Sequence, residues 1–206
     1  MKKTNLPVII LFGFVFLLTS CIDIESKIVL TETGSGTIEF TYTVSSVALS
    51  MDEADGSGSF LPIPVGEVDF RRTVLAVPGL SLQSYSRSAS GDTTIIKAAL
   101  GFTDISALNL FVGGDEEVFS LKNEGAATVF SQTVTSGGSE EVDARSRAFL
   151  EAFFKPYNLK FSLTAPRAIK KSIPETGNVS GRDAKISYPL IGVVDSREPI
   201  VWRVEW

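Results

Sequence analysis

Apolar and polar residues alternate with a period of two along most of this chain, the spacing that sets one face of a β-strand on a core and the other in water. Ile22, Ile24, Ile28 and Leu30 alternate with Asp23, Glu25 and Lys27; after the turn residues Thr33-Gly34-Ser35-Gly36, Ile38, Phe40, Tyr42 and Val44 alternate with Glu39, Thr41, Thr43 and Ser45. This predicts a hairpin. A second is predicted from Leu80–Arg87 and Thr93–Phe102 around Ser88-Ala89-Ser90-Gly91-Asp92, and a third from Val118–Leu121 and Ala126–Val134 around Lys122-Asn123-Glu124-Gly125. Three single strands follow: Leu159, Phe161 and Leu163; Ile186 and Tyr188; and Ile200, Trp202, Val204 and Trp206.

Three segments switch to helical spacing. Val68, Phe70, Val74 and Leu75 fit a short helix within Gly66–Ala76, stopped by Pro78-Gly79. Thr103 or Asp104 can cap another through Phe111, ended by Gly113-Gly114. Ser139 can cap the longest, Glu140–Lys155, whose Val142, Phe149, Leu150 and Phe153 continue to Tyr157 as one apolar stripe, with Pro156 ending it. Residues 50–60 read as loop, and Phe60-Leu61-Pro62-Ile63-Pro64-Val65 is too broken by proline for a central strand. The expected fold class is α+β, an antiparallel sheet built from hairpins with two or three helices packed on one face.

The chain's start has another character. Lys2-Lys3 precede an apolar run of 13 residues, Leu6–Leu18, shorter than the ~20 that span a bilayer as a helix. The run ends in Leu18-Thr19-Ser20-Cys21, which resembles the lipobox of bacterial lipoproteins with a type II signal peptide. That resemblance implies cleavage between Ser20 and Cys21, removal of residues 1–20, and acylation of Cys21, of the kind a palmitate analogue labels. Residues 21–206 then form a single lipid-anchored domain in the bacterial cell envelope, facing the periplasm or the cell surface. Strand patterning starts directly after Cys21, with no Gly/Ser-rich tether, so the domain is expected close to the headgroups.

Composition removes most chemistries. The chain has no histidine and its one cysteine is Cys21, so His- or Cys-based metal, haem and iron–sulfur sites are excluded, as are Ser-His-Asp and Cys-His nucleophile systems. There is no GxSxG, SxxK, phosphate-binding Gly-Lys-Ser/Thr loop or GxGxxG motif, and no cofactor is expected. Residues 21–206 hold 17 basic and 24 acidic side chains, a net charge of −7 that argues against a nucleic-acid partner. The charge is uneven: residues 21–154 carry 8 basic against 19 acidic side chains, residues 155–206 carry 9 against 5. The basic third, with Lys160, Arg167, Lys170, Lys171, Arg182 and Lys185, suits anionic headgroups or an acidic partner as well as a plain solvated face.

Carboxylate chemistry survives the exclusion, since a glycosidase needs only two Asp or Glu at suitable separation. Asp115-Glu116-Glu117 and Glu140-Glu141 read instead as solvated turn and helix-start residues. Asp52-Glu53-Ala54-Asp55-Gly56-Ser57-Gly58-Ser59 lacks the spacing of a calcium loop. The functional expectation is a non-catalytic envelope lipoprotein, not an enzyme, held to the membrane by its N-terminal lipid and binding an envelope protein or a lipid-like ligand. Phe60, Leu61, Ile63, Lys170 and Lys171 are the candidate contacts. The alternative is a carboxylate-dependent hydrolase acting on envelope glycans.

Thr33-Gly34-Ser35-Gly36-Thr37 behind the anchoring cysteine, together with the closing strand around Trp202, resembles the LppM-type bacterial envelope lipoproteins. The resemblance implies a non-enzymatic envelope domain that touches lipids, and assigns no site residues. Members usually continue into a C-terminal membrane helix, whereas this sequence stops at Trp206.

Overall fold

The computed structural model describes residues 24–45, 64–114, 116–138, 151 and 157–206. Its strands are β1 (Ile24–Leu30), β2 (Gly36–Ser45), β3 (Leu80–Ser90), β4 (Thr93–Phe102), β5 (Phe119–Glu124), β6 (Ala127–Thr135), β7 (Asn158–Thr164), β8 (Lys171–Ile173), β9 (Asn178–Ser180), β10 (Asp183–Pro189) and β11 (Ile200–Glu205). Three helices accompany them among the described residues: α1 (Glu67–Ala76), α2 (Ile105–Val112) and α3 (Leu190–Val194). The fold is α+β with strand predominating. The strands form two sheets, not one: a seven-stranded sheet in the order β3-β4-β2-β1-β7-β10-β9 and a four-stranded sheet in the order β5-β6-β11-β8.

The three predicted hairpins are present as β1–β2, β3–β4 and β5–β6. Two turns are tighter than expected, because Ser88-Ala89-Ser90 and Lys122-Asn123-Glu124 belong to strands and the chain reverses at Gly91-Asp92 and Gly125-Ala126. In the first hairpin the turn glycine Gly34 has φ +81°, a conformation costly to any side chain. Gly36 lies beside Phe102 on β4, and a Cβ there would come within 2.8 Å of the Phe102 ring.

The expectation of a wholly antiparallel sheet is corrected at β1 and β7, which pair in parallel from Ile24 opposite Leu159 to Val29 opposite Thr164. A parallel pair needs a long crossover, and pairing of segments so far apart in sequence leaves no local mark.

Alternation does the rest of the sorting. Ile28, Ile38, Tyr42, Ile96, Leu100 and Leu163 of the large sheet are buried, and they share one hydrophobic cluster with Phe119, Phe130, Trp202 and Val204 of the small sheet. The core therefore lies between the two sheets. Trp202 is fully buried, edge-on to Phe130 at 6.4 Å, and its indole N–H donates to Ser172 Oγ at 3.0 Å. Val204 and Trp206 are buried on the same side, as the period of two predicts.

The helices add to that side. Phe70 of α1 packs against Tyr85 at 5.8 Å, and Phe111 of α2 lies 5.9 Å from Phe40 and 6.5 Å from Phe70. Asp104 caps α2 by accepting from the Ala107 N–H at 2.9 Å. The α1 stripe is narrower than expected: Phe70 and Val74 are buried, while Val68 and Leu75 are exposed. Of the predicted helix Glu140–Lys155, only Glu151 is among the described residues.

Candidate functional site

The two sheets do not close on each other completely. A cavity of about 470 Å³ lies between them, within the ~300–1,000 Å³ of sites that take small organic ligands. The large sheet contributes Ile24 and Ser26 from β1, Phe40 and Tyr42 from β2, and Leu159 and Phe161 from β7. The small sheet contributes Phe119, Gln132 and Val134, and α1 and α2 contribute Phe70 and Phe111. Exposed Glu116, Glu117 and Ser136 stand at the rim.

Neighbouring groups hold these walls in place. The Asn109 side chain on α2 accepts from the Phe119 N–H at 2.7 Å and donates to the Phe119 carbonyl at 2.8 Å, fastening the helix to the first residue of β5. Tyr85 donates its hydroxyl to the Val65 carbonyl at 2.8 Å, and Tyr42 donates to the preceding carbonyl, that of Pro64, which borders the cavity. Burial raises the pKa of the Tyr42 phenol strongly, and Tyr85 nearby adds to the rise. Burial likewise raises that of Tyr85. Both phenols thus stay protonated and keep donating across the physiological range.

Two buried polar side chains stand among the apolar walls, which Thr73, Thr133 and Thr135 also border. Ser26 is 6% exposed and Gln132 5% exposed, one from each sheet. The Gln132 Oε1 has no hydrogen-bond partner. This oxygen has essentially no accessible surface of its own, so it does not open into the cavity, and leaving it unbonded costs ~1–3 kcal/mol.

Of the sequence-derived candidates, Ser20, Cys21, Phe60, Leu61 and Ile63 lie outside the described residues. Lys170 and Lys171 are exposed at the start of β8 and away from the cavity lining. Lys171 and Ile173 flank the inward-facing Ser172, so their side chains leave on the opposite face of the small sheet, where they border a hollow of about 170 Å³ with Val129, Arg203 and Glu205. The carboxylate pair Glu116-Glu117 reaches the rim, with Glu117 3.8 Å from Lys122; Asp115 and Glu140-Glu141 lie outside the described residues, and no cluster of three potential metal ligands occurs among those described.

Sequence reading passed over Ser26 and Gln132, although each carries a signal. In Ile24-Ser26-Ile28 and Phe130-Gln132-Val134 a polar residue occupies the middle inward position of an otherwise apolar alternation. Such an interruption marks either a buried hydrogen bond or a polar point in a binding site.

No protein-family model matches the chain, and no curated protein does. Among solved structures, the NMR structure of the Mycobacterium tuberculosis LppM protein folded domain is similar to it, with a TM-score of 0.49 and 10% sequence identity over 99% of this chain and 94% of that one. No helix among the described residues is long and apolar enough to cross a membrane.

Proposed function

We propose that this is a non-catalytic, lipid-anchored protein of the bacterial cell envelope that holds a lipid-like molecule between its two sheets. The observation that carries the reading is the inter-sheet cavity, whose walls are mainly aromatic and aliphatic. A module that only captured a protein would present an exposed apolar patch or an open sheet edge, with no need of internal space.

Chain geometry joins the cavity to the anchor. Ile24 lines the cavity and stands three residues after Cys21. Three extended residues span at most ~11 Å, so acylation of Cys21 tethers this wall of the cavity within that distance of its lipid. A ligand then passes between bilayer and cavity over a short path, and the exposed Lys170 and Lys171 remain available to anionic headgroups or an acidic partner.

Purification of the full-length lipoprotein in a polymer nanodisc, with mass-spectrometric analysis of the lipids and proteins that accompany it, tests the reading. One lipid species should be enriched over the surrounding bilayer. A lipid profile identical to that of the bilayer, together with a stoichiometric protein partner, would favour a protein-binding module instead.

A further inference from the structure

Resting on that reading, we propose that the cavity selects an uncharged acyl ester, and that the carboxamide nitrogen of Gln132, Nε2, donates a hydrogen bond to the ester carbonyl. Gln132 sits in the middle of the small sheet and lines the cavity, with Phe119 on one neighbouring strand and Trp202 on the other. The side chain is 5% exposed, and its two polar ends differ. Oε1 has essentially no accessible surface, whereas Nε2 is accessible and has no hydrogen-bond partner among the described residues. An amide nitrogen can only donate. Gln132 therefore presents an N–H to whatever occupies the cavity, and a hydroxyl or amide N–H brought to it gains nothing from the closed oxygen.

The facing sheet supplies a second donor. Ser26 on β1 is buried at the cavity wall, its hydroxyl likewise without a partner among the described residues. The hydroxyls of Tyr42 and Thr73 are already committed, to the carbonyls of Pro64 and Asp69.

An acceptor that meets these donors must also be neutral. No lysine or arginine stands among the described lining residues, and the exposed carboxylates of Glu116 and Glu117 stand at the rim. A fatty-acid carboxylate or a phosphate drawn inside would lose its hydration with no cation to replace it. A plain hydrocarbon would leave both donors unmet. An ester carbonyl on an acyl chain accepts without charge, and its hydrocarbon suits the aromatic and aliphatic walls.

The sequence makes this directly testable, because it holds two glutamines, Gln132 and Gln83, and Gln83 is exposed on β3 outside the cavity lining. The full-length protein, labelled with nitrogen-15 in its glutamine side chains and held in nanodiscs of a dialkyl ether phosphatidylcholine free of ester carbonyls, gives two carboxamide signals. Gln83→Ala identifies them. Methyl decanoate should move a Gln132 Nε2 proton downfield and leave Gln83 in place, whereas undecane, which has no acceptor, should not produce that downfield move. In the same nanodiscs a diazirine-bearing alkane reads occupancy by photolabelling the cavity-lining strands. One hydrogen bond is worth ~5-fold in affinity. Methyl decanoate should therefore compete with the label at ~5-fold lower concentration in the wild type than in Gln132→Met, while undecane competes equally in both.

Labelled strands together with a Gln132 signal that responds alike to ester and alkane would overturn the ester proposal and leave the lipid-binding reading standing, as would equal competition by the ester in wild type and Gln132→Met. Absence of label from the cavity-lining strands would overturn both.

Discussion

Asn109 holds Phe119 by both of its main-chain groups, accepting from the N–H at 2.7 Å and donating to the carbonyl at 2.8 Å. The carboxamide does for the end of β5 what a neighbouring strand would do, and it fastens α2 to the wall of the cavity. Asn109→Ala removes both bonds and should lower stability by ~1–3 kcal/mol, at ~0.5–1.5 kcal/mol for each. Asn109→Asp keeps an acceptor for the N–H, loses the donor, and should fall between. Urea midpoints of the three proteins check the order; equal midpoints would mean that the bonds contribute nothing net.

Trp202 and Ser172 make a second test of the core. Truncating the buried indole should cost ~3–5 kcal/mol, through lost burial and the cavity left behind. Ser172→Ala leaves the indole N–H unsatisfied and should cost less, ~1–3 kcal/mol. β11 lies between β6 and β8, so deletion of residues 200–206 should abolish folding. A Trp202→Ala shift below ~1 kcal/mol in a denaturant melt would contradict the core assignment.

The tyrosines set an alkaline limit. Burial raises the pKa of Tyr42, Tyr85 and Tyr188 in the folded state above the unfolded value of 10.0. The unfolded chain therefore loses these protons first as pH rises. Their contribution is fully present below pH ~10 and is lost progressively above it, as pH climbs toward the folded values. Urea midpoints should be level from pH 7 to 9 and fall by pH 11, with a smaller fall in Tyr42→Phe. An identical alkaline fall in wild type and variant would remove Tyr42 as a cause.

The hairpins were legible because each is local. The alternation Ile38, Phe40, Tyr42, Val44 set which side chains face the core, and glycines such as Gly34 set where the chain turns. The division into two sheets and the parallel pairing of β1 with β7 were not legible, since they depend on contacts between residues more than 100 positions apart. β8 and β9, at three residues each, are too short to show a period. Of the site, the aromatic walls were visible as core positions, but that Ile24 and Phe119 border a common space depends on how the sheets meet.

The anchor is testable apart from the fold. Cys21→Ser should abolish incorporation of a palmitate analogue and leave the signal peptide uncleaved by the lipoprotein peptidase. Equal metabolic labelling of wild type and variant would dismiss the lipobox reading and, with it, the short path from bilayer to cavity.

If the space between the sheets holds a lipid-like molecule, filling that space should displace it. Ser26 is buried on β1 and lines the cavity, so Ser26→Phe should occupy ligand space, at a strain of the ~1–3 kcal/mol typical of overpacking where room is short. The measurement is the amount of non-covalently bound lipid per chain, by native mass spectrometry of the purified full-length protein with folding of both forms checked by circular dichroism. Close to one lipid per wild-type chain and at least a severalfold reduction in Ser26→Phe are the expected results. Equal lipid in the two folded proteins, or none in the wild type, would contradict lipid binding in this space.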